Sequence, residues 1–176
     1  MEGEVLKWSD IHTLIFDFDG IFTDNRVIVD QNGVEAVICN RSDSLGIDYL
    51  IRFKELNNWN LDLFILSTET NTVVQKRAKK LNINCYSGVS DKRKFIEERV
   101  SQRFPEDDSA KNGVVFLGND LNDLLGIKFA KWSFAPPDAH PLVRVNVSRV
   151  LTKKGGEGFV REFIELLIPE AFTELQ

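Results

Sequence analysis

The stretch Thr13-Leu14-Ile15-Phe16-Asp17-Phe18-Asp19-Gly20-Ile21-Phe22-Thr23-Asp24 carries an apolar run that stops at a carboxylate. A short buried strand ends in this way, with two acids two residues apart at its carboxyl tip. In open α/β sheets that tip is where ligands bind. Two carboxylates beside a core cost several kcal/mol unless they are paired or metal-bound. A divalent cation and a phosphoryl group would satisfy them.

Working outward, the pattern alternates strands with helices. Thr13–Asp17 predicts the first strand. Arg26–Val29 and Glu35–Cys39 flank Asp30-Gln31-Asn32-Gly33, and Asn-Gly between β-rich runs predicts a hairpin. Ser42-Asp43-Ser44 predicts a cap for a helix over Leu45–Leu56, with Leu45, Tyr49 and Phe53 on one face. Leu61–Leu66 reads as a core strand and Thr70–Leu81 as a helix with Val73, Val74, Ala78 and Leu81 inward. Ile83–Tyr86 is a short strand, and Asp91 caps a helix over Lys92–Arg103. Val114–Leu117 is a further core strand ending at Gly118-Asn119-Asp120. Leu121–Phe129 reads as helical, Trp132–Phe134 and Arg149–Leu151 as strands, and Gly158–Leu167 as a helix. The glycines of Lys154-Gly155-Gly156-Glu157-Gly158 predict a mobile tail near the site.

This order predicts an α/β fold: a Rossmann-like, doubly wound parallel sheet with a β-hairpin extension after the first strand and no cap domain. Right-handed crossovers place the carboxyl ends of all the strands on one edge. Four polar groups then converge there: Asp17/Asp19, Ser67-Thr68-Glu69, Lys92, and Asn119-Asp120/Asp123.

Composition narrows the function classes. The 176 residues, 43% hydrophobic and 28% charged, suit one globular domain over 1–176. A net charge of −5 gives no support for binding nucleic acid or an anionic membrane. The acidic start has no signal-peptide character, and no apolar run approaches a membrane span, so a cytoplasmic location is expected. Cys39 and Cys85 lie in apolar stretches without a CxxC partner and read as buried thiols. His12 and His140 have no ligand or triad pattern around them.

A carboxylate can attack phosphorus, forming an aspartyl-phosphate that splits hydrolysis into two easier steps. Asp17 ends the strand and reads as this nucleophile. Asp19 reads as general acid and then base, with its backbone carbonyl available to a metal. Ser67 reads as a phosphoryl ligand, and Lys92 as the charge that neutralises phosphoryl group and nucleophile together. Two anions must meet, so Mg²⁺ is expected, held by Asp17, Asp19, Asn119, Asp120 and Asp123 directly or through water.

These motifs resemble the haloacid dehalogenase superfamily, whose pattern reads here as Asp17-Phe18-Asp19-Gly20, Ser67, Lys92 and Gly118-Asn119-Asp120-Leu121-Asn122-Asp123. Gly20–Asp24, Ser42–Ile47 and Lys154–Glu162 resemble its capless branch of octulosonate 8-phosphate and nonulosonate (sialic-acid-type) 9-phosphate phosphatases. The resemblance implies a Mg²⁺-dependent sugar-acid phosphate phosphatase. It also implies a homotetramer built on the hairpin, with a neighbouring subunit closing each active site.

Within that branch, Ser67-Thr68-Glu69 stands where the octulosonate enzymes carry Thr/Ser-Gly-Arg, and Ser42-Asp43-Ser44 where they carry an Arg-Asp-Gly. Glu69 would repel a carboxylate and accept from hydroxyl or amide groups. It resembles the nonulosonate branch, as do Arg77 and Lys80. The expected substrate-binding residues are Asp43, Ser44, Thr68, Glu69, Arg77 and Lys80. The expected substrate is a nonulosonate 9-phosphate of sialic-acid biosynthesis, with octulosonate 8-phosphate as the alternative. Asn119 departs from the family's aspartate and weakens the metal site by one charge. Similar motifs with Asn occur in domains associated with sialate cytidylyltransferases, which adds a third reading: a non-catalytic assembly partner of such an enzyme.

Overall fold

The structure is a computed structural model and describes residues 5–173. A six-stranded parallel sheet organises it. Its strands are β1 (Thr13–Phe16), β4 (Asp62–Leu66), β5 (Asn84–Tyr86), β6 (Val114–Leu117), β7 (Trp132–Ala135) and β8 (Arg149–Val150). The spatial order is β5-β4-β1-β6-β7-β8. The missing numbers belong to a separate antiparallel pair, β2 (Ile28–Val29) and β3 (Glu35–Ala36). Both the sheet and its hairpin extension therefore match the expectation.

β1 sits between β4 and β6, with Thr13 opposite Asp62 on one side and Val114 on the other. All four of its residues are buried, which explains the unbroken apolar run: a central parallel strand is covered on both faces. Leu14 and Phe16 face a layer made by α1 (Arg41–Leu56), α2 (Thr72–Leu81) and α6 (Phe159–Leu167). Ile15 faces the layer made by α3 (Lys92–Arg103), α4 (Leu124–Phe129) and α5 (Pro141–Arg144). From β1 the chain builds outward to one side through β4 and to the other through β6. Asp17 thus follows the strand at the topological switch point. Among the described residues, no helix is long and apolar enough to cross a membrane.

Several local readings change. The cap of α1 is Asn40, whose side chain accepts from the Ser42 backbone N–H at 2.9 Å. Its buried face is Asp43, Gly46, Ile47 and Leu50, while Leu45 is exposed. The helix is turned so that Gly46 meets Arg161 of α6, where a Cβ would lie 3.2 Å from the Arg161 Cα and crowd the contact. Asn71 caps α2, its Oδ1 accepting from the Val73 N–H at 3.0 Å. Two one-turn helices were not anticipated, α5 with Pro141 at its start and α7 (Glu170–Thr173). Cys39 and Cys85 are free thiols but only half-buried.

The glycine-rich segment is packed rather than mobile. A side chain at Gly155 would place its Cβ 2.0 Å from the Gly20 carbonyl oxygen. The Gly156 N–H donates to the Ile21 carbonyl at 3.2 Å. The segment then enters α6 through Gly158, which has φ +100° and no side chain to cap the helix. Asp43 supplies that cap from α1: its Oδ1 accepts from the Arg161 N–H at 2.9 Å. Asp43 is fully buried, and its other oxygen has no hydrogen-bond partner. A substrate cannot reach it, so its expected binding role is replaced by a structural one.

Burial pushes the Asp43 carboxyl up to about 6, against weaker opposing effects of the Arg161 N–H and Arg77. The folded protein therefore holds this proton more tightly than the unfolded chain. Stability is lost as pH rises from about 4 through the folded value. Asp43→Asn keeps an acceptor for Arg161 and removes the charge. Relative to the native chain it is expected to gain on the order of 2 kcal/mol across pH 4 to 7. Thermal unfolding at stepped pH checks this, and a constant difference at every pH would discard the burial account.

Candidate active site

Three strand ends and one helix start assemble the site. Asp17 follows β1, with its N–H on the Leu117 carbonyl of β6 at 2.9 Å. Ser67 follows β4, and Asn119, Asp120 and Asp123 follow β6. Lys92 is the first residue of α3, behind the Asp91 cap, whose Oδ1 accepts from the Lys94 N–H at 2.9 Å. A lysine at a helix N-terminus is poorly placed for the helix dipole. Its carboxylate partners explain it.

Lys92 is 2% exposed, and its Nζ donates to Asp17 Oδ1 at 2.6 Å and to Asp123 Oδ1 at 2.7 Å. Burial alone would lower its pKa, but the two carboxylates outweigh that and hold it above the ordinary value. Burial, and then the charge of Asp123, raise Asp17 despite Lys92. The reason is one ammonium between two buried carboxylates, an excess of one negative charge when all three are ionised. Asp123 is braced further: its Oδ2 accepts from the Asn119 N–H at 2.8 Å and the Asp120 N–H at 3.2 Å. Gly118 allows this, because a Cβ there would lie 2.7 Å from Asp123. Both Asp123 oxygens are thus occupied by protein donors, and its expected metal role gives way to holding Lys92 and the loop. Asp120 Oδ1 likewise accepts from the Leu121 N–H at 2.7 Å, capping the short turn that follows.

The fit to a divalent cation rests on Asn119. Its side-chain amide ends 2.8 Å from the Asp19 carbonyl oxygen and 3.2 Å from Asp17 Oδ2. With the amide nitrogen turned inward, it donates to both. With the oxygen turned inward, three oxygens converge with no proton between them, an arrangement that a hard cation stabilises. Asp17, the Asp19 carbonyl and Asn119 are therefore the residues that would hold Mg²⁺, and its two positive charges would more than offset the one surplus negative charge. Among the described residues no group of three His, Cys, Asp or Glu side chains is arranged for a metal, so the expected cluster of Asp17, Asp19, Asp120 and Asp123 carboxylates is not assembled.

Asp19 is half-buried. Burial, and then the charge of Glu69, raise its pKa against Lys92 and a hydrogen bond with Thr23. A carboxyl raised in this way keeps its proton closer to neutrality, as a general acid must. Ser67 is 1% exposed, and its Oγ accepts from the Glu69 N–H at 3.0 Å. Thr68 Oγ1 accepts from Asn122 Nδ2 at 3.3 Å, tying the β4 and β6 loops together. Asp19 and Glu69 line a cavity of about 240 Å³ that also touches the hairpin residues Arg26 and Glu35.

Arg77 and Lys80 line a different cavity, of about 620 Å³, with Ser44, Arg41 and Lys76. The two cavities share the wall residues Val37 and Val73. Arg77 Nη2 donates to Ser44 Oγ at 2.5 Å, and its buried Nε has no partner. Ser44, Arg77 and Lys80 are thus gathered beside the cleft rather than in it. Glu35 was missed by sequence reasoning: it was read only as the start of a strand, and its carboxylate accepts from Asn71 of the α2 cap. His12 is structural, with Nε2 at 2.7 Å from the Ala110 carbonyl oxygen.

Asn119→Asp puts a carboxylate beside the Asp19 carbonyl and Asp17 Oδ2 in place of an amide that can donate to both. Without metal the variant is expected to unfold at a lower temperature than the native chain. With Mg²⁺ it is expected to bind the ion about tenfold more tightly and to show a larger thermal shift. Equal Mg²⁺ shifts in the two proteins would place the ion away from residue 119.

No protein-family model matches the chain. It is 31% identical over 167 residues to the 3-deoxy-D-manno-octulosonate 8-phosphate phosphatase of Yersinia pestis, covering 93% of this chain and 83% of that enzyme. Among solved structures, the Moraxella catarrhalis 3-deoxy-D-manno-octulosonate 8-phosphate phosphatase, in complex with magnesium, phosphate and KDO, superimposes with a TM-score of 0.82 at 26% identity. That match covers 96% of this chain and 94% of the other. The cobalt-bound Haemophilus influenzae enzyme superimposes with a TM-score of 0.79 at 25% identity, covering 94% of this chain and 91% of that one. With the Asp17–Lys92–Asp123 cluster at the sheet edge, these likenesses make the chain a phosphomonoester hydrolase of the haloacid dehalogenase superfamily, in the family of the 3-deoxy-D-manno-octulosonate 8-phosphate phosphatases.

Proposed function

We propose that the chain hydrolyses the phosphate ester of a sugar acid with Asp17 as nucleophile, and that its substrate is a nonulosonate 9-phosphate. The observation that carries the chemistry is the buried Lys92 bridging Asp17 and Asp123, with half-buried Asp19 two residues along. An Asp17 carboxylate oxygen attacks phosphorus, and the ester P–O bond breaks. Asp19 gives its proton to the leaving oxygen, and then takes one from the water that cleaves the aspartyl-phosphate. Lys92 neutralises charge on the nucleophile and the phosphoryl oxygens, and Ser67 orients them. Mg²⁺ supplies the positive charge that lets the two anions meet.

The choice of sugar rests on Glu69, exposed at the mouth beside Asp19. A carboxylate there accepts hydrogen bonds from a polyhydroxylated chain and disfavours an acid group. The substrate's own carboxylate then needs cations, and Arg77 and Lys80 of a neighbouring subunit supply them. The hairpin supports such an assembly: Val27, Ile28, Val29, Val34 and Ile38 are 54–65% exposed. So apolar an arm on a monomer is unusual, and a homotetramer built on it covers these side chains. The named relatives favour a second reading, octulosonate 8-phosphate as the substrate.

Two measurements test the proposal. With Mg²⁺, phosphate release is expected to be fastest on a nonulosonate 9-phosphate, slower on octulosonate 8-phosphate and slowest on generic sugar phosphates. Asp17→Asn should lower it at least a thousandfold while leaving the thermal transition in place. A preference for the eight-carbon acid would select the second reading. No release from a folded oligomer would favour a non-catalytic partner of a cytidylyltransferase. Separately, Glu69→Arg is expected to lower kcat/KM on the nine-carbon acid about tenfold or more, and an unchanged substrate profile would show that Glu69 does not choose the sugar.

A further inference from the structure

Glu35 lies at the start of β3, far in sequence from the acidic motifs, yet its carboxylate comes to the mouth of the site. Asn71 places it there. That side chain caps α2 through Oδ1 and donates through Nδ2 to Glu35 Oε2. One amide thus ties the hairpin to the helix that follows the Ser67 loop. The cavity below is lined by Asp19, Glu69 and Glu35, and by Asn25 and Asn71. The cation on its wall, Arg26, has its Nε 3.1 Å from Asp24 Oδ2 and is already matched. Asp19 protonates the leaving oxygen in the proposed chemistry, so the leaving group occupies this cavity. Around it, Phe18, Val27, Val37, Val73 and Val74 give apolar wall, and the charged acceptors are the carboxylates of Asp19, Glu35 and Glu69.

We infer that Glu35 is a specificity-determining residue: with Glu69 it accepts hydrogen bonds from the hydroxyl groups next to the phosphate ester and turns away leaving groups that carry an anion there. The inference rests on the proposed phosphatase reading and deepens it. Ionised carboxylates only accept, and a hydroxyl has a proton to give. Hydrogen bonds to a charged acceptor are roughly twice as strong as neutral ones, so two such residues discriminate well between a polyol and an aryl or acidic leaving group. The substrate class this favours is a phosphate on a primary carbon whose neighbours bear hydroxyls, with any carboxylate at the far end of the molecule.

Three esters and two variants test this with the full chain and Mg²⁺. The esters are octulosonate 8-phosphate, sorbitol 6-phosphate and p-nitrophenyl phosphate, the last without a hydroxyl near the ester. Glu35→Gln keeps an oxygen for Asn71 but loses the charge, and Glu35→Ala loses both. For Glu35→Gln, the kcat/KM ratio of hydroxylated ester to p-nitrophenyl phosphate is expected to fall about tenfold, through KM more than kcat. If the native chain ignores the sugar acid but prefers sorbitol 6-phosphate, and Glu35→Gln erases that preference, the sugar-acid reading fails while the role of Glu35 stands. If the ratio is unchanged in Glu35→Gln and falls only in Glu35→Ala, Glu35 is a tether for the hairpin and the inference is overturned. No difference among the three proteins on any ester overturns it as well.

Discussion

The Lys92 ammonium between Asp17 and Asp123 is the interaction on which the site depends. It joins the end of β1, the loop after β6 and the first turn of α3 at one buried point. Neither carboxylate is affordable without it, since an unpaired buried charge costs several kcal/mol. The pairing is still one positive charge short. That deficit is held rather than relieved, by a fold whose three strand ends are fixed through parallel pairing. A divalent ion is then complementary to the site in charge, and the change it requires at Asn119 is a turn of the side-chain amide that brings its oxygen inward.

What the sequence made legible were features whose partners are local. The strand leading to Asp17 announces itself because a run buried on both faces has no polar alternation. Asp91 and Lys92 open α3 as read, since a cap and its helix are neighbours. Asp43 was misread because its partner, the N–H of Arg161, lies 118 residues away and carries no motif. The uncapped start of α6 at Gly158 was the available hint: a glycine N-cap leaves backbone donors for some other residue to satisfy. The exposure of Leu45 was hidden for a similar reason. Periodicity finds a helix but not its rotation, which Gly46 sets by its contact with Arg161.

The glycine-rich segment shows how one sequence signal supports opposite readings. Glycine suggests freedom, yet Gly155 and Gly156 are there because backbone must touch backbone at Gly20 and Ile21. The loop that carries Asp19 is thereby pressed from behind by a segment that Asp43 and Glu162 anchor; the Glu162 carboxylate accepts from the Thr152 and Lys153 N–H groups. The proposed general-acid geometry at Asp19 is set by contacts on the far side of the loop as much as by its own neighbours. Substitutions at Gly155 would therefore reach the chemistry without touching substrate.

The hairpin has the opposite character. A two-stranded ribbon is marginal alone, and here its aliphatic side chains face outward while one amide, Asn71, holds Glu35 to the body. Oligomerisation and specificity then become one problem. In the proposed tetramer, a neighbouring copy covering Val27, Ile28 and Val29 would also fix where β3 begins, and so where the Glu35 carboxylate stands over the cavity. With only a hairpin between β1 and α1, the leaving-group pocket of the proposed tetramer would borrow its rigidity from assembly. Weakening the hairpin contacts would then blur the choice of substrate before it slowed the proposed attack at Asp17, whose position the sheet and Lys92 secure.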